Sequence, residues 1–488
     1  MEFQDERLCA SCVQLDLAAV FDPECFDTLP RLDMDSLVTG QYWGTDTPEK
    51  ALELEKIISA IQLRSSSPEL IRHVGSWIPC NSNLSDIKPV CPFCSLLNDM
   101  VAHGPDSREL LAFPSHLLYD LADTATSESS GVSVSTNLLI IDRRYLLFAD
   151  PIGEGYGSLG STGTRFLQNS SIDYDLFRYW LDICVVQHGN RCGPPDRPPV
   201  SKFKLIDCQA RRIINAPSDK KYDYVALSYL WGKDTPEPYH YPLLPETLPL
   251  VILDAMAFVT KLGLQYLWVD RYCIWQADPE HKMTQINAMD QIYGDAYFTI
   301  FACAGEDPSY GLPGVSVTQR ENFQLSTVFW GKTLVVNRGH HEQAERISAS
   351  KWKSRGWTFQ EEALSRRRLY VTDYEISFVC SEMTCFEHLA PPLAFTSNEG
   401  DHKQHYWNDL NIPHGIGHLI SQYSRRKLTE QSDRINAISG VLNEWYRLHP
   451  KCFHYWGVPV QGPPTRWRLF QVSLSYAWEF FDILLPDI

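Results

Sequence analysis

Between residues 222 and 304, short apolar runs alternate with stretches of helical periodicity. YVALSY (224–229), YLWVD (266–270) and AYFTIFACA (296–304) are almost wholly apolar and read as strands. Apolar residues at helical spacing over 246–262 and 282–294 separate them. This strand–helix–strand–helix–strand order predicts an α/β fold with a central parallel sheet flanked by helices. FKLIDC (203–208) is a further strand. The region 222–370 is therefore expected to form the central domain.

The pattern elsewhere is less regular. Residues 1–120 are mostly helical in pattern and carry several cysteines; Pro48–Ile58 places a proline in a first turn ahead of apolar residues at helical spacing. Residues 121–221 form a β-rich region with a helix and a linker. The polar tract 123–136 reads as a loop, NLLIID and RYLLFAD as two strands, 174–190 as a helix, and GPPDRPPV (193–200) as a Pro-rich linker. Residues 371–488 are a mixed α/β region whose clearest helix is expected over 420–446.

Composition narrows the functional classes. The chain has 488 residues, with 43 Lys+Arg against 60 Asp+Glu and a net charge of −17. That acid excess argues against a nucleic-acid-coating surface, and the best basic run, Arg366–Arg368, is short. No long stretch is both charge-free and apolar throughout, so no membrane span is expected. MEFQDERLCASC lacks the basic and apolar segments of a secretory signal. A cytoplasmic location follows, and in that reducing compartment the 14 cysteines are expected as thiols or metal ligands.

Cys9/Cys12 and Cys91/Cys94 are two CxxC pairs, and two such pairs complete a four-sulfur structural zinc site. Buried free thiols are the alternative. Cys184, His188 and Cys192 form a second cluster, with Cys184 and His188 one helical turn apart; a structural cluster beneath the linker is expected there rather than a metal. Gly155–Gly160 spells GxGxxG, but STGTRFLQNSS after it is a poor helix start, so a turn-rich loop is expected. No GxSxG, HExxH or Walker A sequence occurs.

Three segments within 222–365 concentrate unusual chemistry. The first strand ends in Ser228, Tyr229, Trp231 and Gly232; the second delivers Asp270 and Arg271; the third segment carries Trp352, Arg355, Trp357, Glu361 and Glu362 at the start of a helix. In an open parallel sheet, ligands sit beyond the carboxyl ends of the strands. Each segment brings a polar group beside an aromatic that could stack on a flat ring.

These segments resemble the fungal heterokaryon-incompatibility (HET) domain. The resemblance rests on YVALSYLWG (224–232), LWVDRYCIWQ (267–276), MDQIYGDAYFTIFACAGEDPSYGLPG (289–314) and RGWTFQEEALSRRRL (355–369). Flanking pieces also look like the family: the CxxC pairs, the Trp180–Cys184–His188–Cys192 spacing and YSRRKLTEQSDRINAISGV (423–441). Residues 455–488 depart from its pattern. The resemblance implies a role in non-self recognition and regulated cell death, self-association, and an incompatibility partner protein not named by the sequence. The family is distantly similar to Toll/interleukin-receptor (TIR) domains, which implies a TIR/flavodoxin-like sheet and NAD as a substrate. Trp357 and Glu361 match the TIR spacing between a tryptophan and the catalytic glutamate, although Thr358 and Arg355 stand where that pattern has cysteine and serine. On this reading Glu361 is catalytic, with Glu362 as its competitor. Trp231, Tyr229 and Trp357 wall the rings, Arg271 or Arg355 meets the pyrophosphate, and Ser228 and Asp270 bond ribose hydroxyls. The alternative is a non-catalytic interaction module that signals by assembly alone.

Overall fold

The fold is described from a computed structural model, which covers residues 8–21, 25–29, 72–77, 91–100, 108–114, 137–141, 144–148, 165–167, 171–217, 219–232, 241–321, 324–329, 332–337, 339–389, 393–394, 406–412, 415–455, 458–461 and 468–469. The expected helix at Pro48–Ile58, the polar loop 123–136 and the Gly-rich loop lie outside these residues. The chain divides into two compact units.

The first unit comprises residues 1–168, 322–342 and 385–396. It contains helices α1 (Ala10–Val13), α2 (Leu17–Phe21) and α3 (Pro92–Met100). Its antiparallel sheet takes strands β1 (Arg72–Trp77), β2 (Arg108–Pro114), β3 (Asn137–Ile141), β4 (Arg144–Phe148), β10 (Ser326–Phe329) and β11 (Lys332–Asn337) in the order β1-β2-β3-β4-β11-β10. The segment 1–120, read as mostly helical, thus supplies two strands among its described residues. Leu17, Val20, Phe93, Leu97, Leu110 and Leu334 form the core, with Cys12, Cys91 and Cys94 among them.

The second unit takes in residues 169–321, 343–384 and 397–488, more chain than the predicted 222–370. Its sheet contains β5 (Lys204–Asp207), β6 (Arg212–Asn215), β7 (Tyr224–Ser228), β8 (Tyr266–Trp268), β9 (Phe298–Ala302), β12 (Arg368–Val371) and β13 (Ile376–Val379), ordered β13-β12-β9-β7-β8-β5-β6. The four central strands, β12-β9-β7-β8, run parallel. The outer pairings are antiparallel. The α/β expectation holds, with a parallel centre and antiparallel margins.

Every residue of β7 and of β9 is buried, as a strand covered on both faces requires. On one face, Phe298 of β9 meets Phe177 of helix α4 (Tyr174–His188) and Phe258 of helix α5 (Leu250–Lys261). On the other, Phe301 stacks on Tyr370 of its parallel partner β12 and packs against Trp352. Period-two alternation along β9 explains why adjacent residues serve opposite layers.

Three predicted helices differ in extent. The helix expected from 246 starts at Leu250, because Pro249 takes the N-cap position. That expected over 282–294 is two: α7 (Pro279–Asn287) and α8 (Met289–Gly294), meeting at Ala288, whose ψ of 12° leaves the helical region. That expected over 420–446 is interrupted: α10 (Gly415–Ser424) and α11 (Asn436–Leu448) flank a loop with one 3₁₀ turn. The interruption has a tertiary cause. Lys427 N–H donates to the Ser354 carbonyl at 2.7 Å, and Gly356 N–H donates to the Lys427 carbonyl at 2.7 Å. Those two bonds hold the loop out of helical geometry. Among the described residues no helix is long and apolar enough to cross a membrane.

Candidate functional site

Beyond the carboxyl ends of β7 and β8, in the second unit, lies a cavity of about 460 Å³. That volume falls within the range of small-molecule sites, roughly 300–1,000 Å³. Tyr229 and Trp231 follow β7 into it. Asp270 and Ile274 belong to the turn after β8, where α6 (Asp270–Cys273) begins. Lys282 and Ile286, one helical turn apart on α7, line another side, and Met289 of α8 adds to it. Helix α7 is started firmly: Pro279 stands in its first turn, and the Asp278 carboxylate accepts from Glu280 N–H at 3.0 Å and His281 N–H at 3.1 Å.

Helix α9 (Thr358–Leu364) supplies the central carboxylate. All seven of its residues are buried. Thr358 Oγ1 donates to the backbone carbonyls of Trp352 and Arg355, 2.9 Å from each, fixing the turn that enters the helix. Trp357 and Glu361, one turn apart, both reach the cavity. The wall opposite is Lys427, Leu428, Thr429, Glu430 and Asp433. Gly356 lets this wall approach closely: a Cβ there would lie 2.4 Å from Leu428 Cδ2 and push that side chain aside. Trp357 Nε1 donates to Asp433 Oδ2 at 3.2 Å, orienting the ring.

Glu361 is 6% exposed and Ser228 is 1% exposed. Ser228 Oγ donates to Glu361 Oε2 and accepts from Trp352 Nε1 at 2.7 Å. In the resulting chain, indole to hydroxyl to carboxylate, only the carboxylate lines the cavity. Ser228 orients Glu361 from behind the cavity wall. Burial pushes the Glu361 carboxyl up to about 7, and the Asp270 carboxylate adds to the rise; Ser228, Arg355 and Tyr293 oppose it. Burial also raises Asp270, to about 6, against its bonds from Trp231 Nε1 at 2.7 Å and its own neighbour Arg271 N–H at 2.7 Å. Two carboxyl groups that titrate near neutrality thus share one cavity with the Arg355 guanidinium.

Glu362 is in a different environment. It is fully buried and does not line the cavity. Lys353 Nζ lies 2.6 and 2.7 Å from its two oxygens, Arg426 Nη2 3.0 Å and the Tyr370 hydroxyl 3.0 Å. Burial alone would raise its carboxyl, but Lys353 and Arg426 together draw it down to about 2. Adjacent acids are driven in opposite directions, and only the raised one faces the cavity. Pairs separated in this way are the usual mark of distinct chemical roles.

The cavity brings together Tyr229, Trp231, Asp270, Arg355, Trp357 and Glu361 from the residues singled out by sequence. Arg271 is turned away. Its Nη1 donates to the Trp231 carbonyl at 3.1 Å and its guanidinium lies 5.8 Å from the Trp231 ring centroid. It braces Trp231 and does not line the cavity; Arg355 does, with its Nη1 donating to the Tyr229 carbonyl at 3.1 Å. Gly232, at φ +77°, makes the turn after Trp231, with Pro308 where a Cβ would stand. Lys282, Lys427 and the wall 427–433 had no distinguishing sequence signal of their own; the wall could be found only through its resemblance to the family.

Removing the Ser228 hydroxyl takes away one of the interactions that favour the Glu361 carboxylate. Ser228→Ala is expected to raise the Glu361 titration by about one pH unit. Carboxyl-resolved NMR or infrared titration measures this directly, and an unchanged midpoint would rule out the relay.

Both cysteine clusters converge. The Sγ atoms of Cys9, Cys12, Cys91 and Cys94, in the first unit, all lie within 4.8 Å of one another. Cys9 and Cys91 stand at the starts of α1 and α3, and Cys94 N–H donates to Cys91 Sγ at 3.4 Å. In the second unit, Cys184, His188 and Cys192 are joined by a fourth residue, Cys380.

No curated protein and no solved structure matches the chain. Residues 224–361, from the first residue of β7 to the carboxylate of the cavity, match the family described as heterokaryon incompatibility protein (HET). The chain thus carries a heterokaryon-incompatibility domain, which points to a role in heterokaryon incompatibility.

Proposed function

We propose that this domain is a cell-death effector of non-self recognition that hydrolyses NAD at the nicotinamide–ribose bond. The observation that supports it most is the Glu361 carboxylate, held by Ser228 in a cavity walled by Tyr229, Trp231 and Trp357. Flat aromatic walls suit a nicotinamide or adenine ring. Arg355, with Lys282 and Lys427, supplies cationic groups for a pyrophosphate. Asp270 is available to ribose hydroxyls.

In the reaction, the C–N bond to nicotinamide breaks and its electron pair leaves with the ring, which becomes neutral. Positive charge develops on the ribose, as in glycoside cleavage. On this reading the Glu361 carboxylate would stabilise that charge. Water then adds to the ribose carbon and gives its proton to Glu361 or solvent, producing ADP-ribose. Because the carboxylate form is needed, activity is expected to rise with pH through about 7. On this reading self-association switches the activity on. NAD loss measured with the purified chain crowded on a resin, against the dilute chain, tests this reading. Absence of loss under crowding, with cell killing intact in Glu361→Gln, would overturn it in favour of signalling by assembly alone.

We also propose a structural zinc on Cys9, Cys12, Cys91 and Cys94. Four convergent sulfurs, three of them buried, fit that ion. The zinc would tie α1 to α3 within the first unit. Elemental analysis of Cys94→Ser should show one equivalent fewer than the intact protein; an equal content excludes the site.

A further inference from the structure

We infer that Cys184, His188, Cys192 and Cys380 form a second metal site, which takes a soft divalent ion such as zinc through three thiolates and one imidazole.

The geometry is that of a tetrahedral shell. The four ligand atoms all lie within 4.8 Å of one another. His188 Nδ1 is 3.4 Å from Cys380 Sγ and 3.8 Å from Cys192 Sγ. Zinc bonds of about 2.3 Å to sulfur and 2.0–2.1 Å to nitrogen, at tetrahedral angles, place nitrogen and sulfur about 3.6 Å apart. The two observed separations bracket that value.

Three separate features of the fold build the shell. Helix α4 puts Cys184 and His188 one turn apart on one face. It ends at Gly189, where φ is +48°, and a 3₁₀ turn (Gly189–Arg191) returns the chain. Cys192 N–H then donates to the Gly189 carbonyl at 3.3 Å, which brings its sulfur back beneath the helix end. Cys380 follows the last residue of β13, and its N–H donates to the Met383 carbonyl at 3.0 Å. The fourth ligand lies 192 positions from His188, which is why the spacing of the first three suggested no metal.

The surroundings distinguish this cluster from cysteines buried as small hydrophobes. Such cysteines pack on carbon, whereas here three buried sulfurs and an imidazole face one another. Arg367 Nε also donates to Cys184 Sγ at 3.2 Å, and its Nη1 is anchored on the Tyr297 carbonyl at 3.2 Å. The guanidinium is held in place against the sulfur. Three thiolates and a neutral imidazole on a divalent ion leave one net negative charge, which this cation offsets from the outer shell. The ion would pin the end of α4 to the end of β13.

The test is elemental analysis of the full chain, purified without chelator, together with cobalt(II) substitution. The intact protein is expected to carry one more equivalent of zinc than Cys380→Ser, whatever Cys94→Ser does to the other cluster. His188→Cys should keep its metal, and its cobalt(II) form should gain thiolate-to-metal charge-transfer intensity. Should Cys380→Ser fail to fold, the His188→Cys spectrum decides. A zinc content unchanged in Cys380→Ser, a cobalt spectrum unchanged in His188→Cys, or a disulfide among Cys184, Cys192 and Cys380 would overturn the site.

Discussion

Glu361→Gln is expected to lower NAD turnover by at least about 10²–10³-fold, the loss usual when a preorganised charge at a reacting centre is removed. The same substitution should leave the chain folded and make it more stable in mild alkali. The sign follows from the raised carboxyl. A group whose folded value is about 7, against an ordinary 4.5, favours folding only in its protonated form. Its ionisation costs stability progressively as pH rises from 4.5 to 7, by at most about 3 kcal/mol. Glutamine removes that cost and keeps an oxygen to accept from Ser228. A gain of about 1–3 kcal/mol at pH 8, vanishing below pH 4.5, is expected in thermal or denaturant unfolding. Full NAD turnover in this variant would remove Glu361 from the chemistry. Equal stabilities at pH 8 would show that the buried charge is not strained.

The neighbouring substitution should do the opposite. Glu362→Ala strips the shared carboxylate from Lys353 and Arg426, which lie at 2.6 and 3.0 Å. Arg426 is 6% exposed, so its charge would remain buried without that acid. Breaking such a cluster costs about 3–5 kcal/mol. Against a total stability of roughly 5–15 kcal/mol, that threatens folding itself. The pH dependence is also reversed. With its carboxyl at about 2, Glu362 stabilises the fold above pH 4.5, and that contribution disappears as pH falls from 4.5 to 2. Intact protein should thus lose stability in acid more steeply than Glu362→Ala. A cost below about 1 kcal/mol would contradict the account, because only exposed pairs contribute so little. Lost killing in Glu362→Ala would report on folding, whereas lost killing in Glu361→Gln would report on chemistry.

Much of this site was legible before any coordinates. Apolar runs ending in Ser228 and Asp270 identified strands with polar ends, and such ends in a parallel sheet converge on one edge. The Trp357–Glu361 spacing placed both on one side of a helix. The direction of Arg271 was not legible, since a strand-end arginine serves equally well as ligand contact or brace; it donates to the Trp231 carbonyl and is not among the residues lining the cavity. Nor was the break between Ser424 and Asn436. Its residues include no glycine or proline to mark it, and the backbone bonds to 354 and 356 that open it join positions some seventy residues apart. Cys380 was hidden for the same reason. Local pattern carries information about local partners, and these partners are distant.

The wall formed by 427–433 bears on where this domain can be cut. The stretch 224–361 contains β7, β8 and β9, both carboxylates and three aromatics, but one side of its cavity is borrowed from later in the chain. Gln360 Oε1 accepts from Gly440 N–H at 3.1 Å, and its Nε2 donates to the Asn436 carbonyl at 3.3 Å. Helix α9 is thus seated on α11 as well. An expression fragment or graft ending at Glu361 would transplant the acid without its socket. A transplantable unit therefore has to carry the chain through Leu448, well past the last residue of the matched stretch.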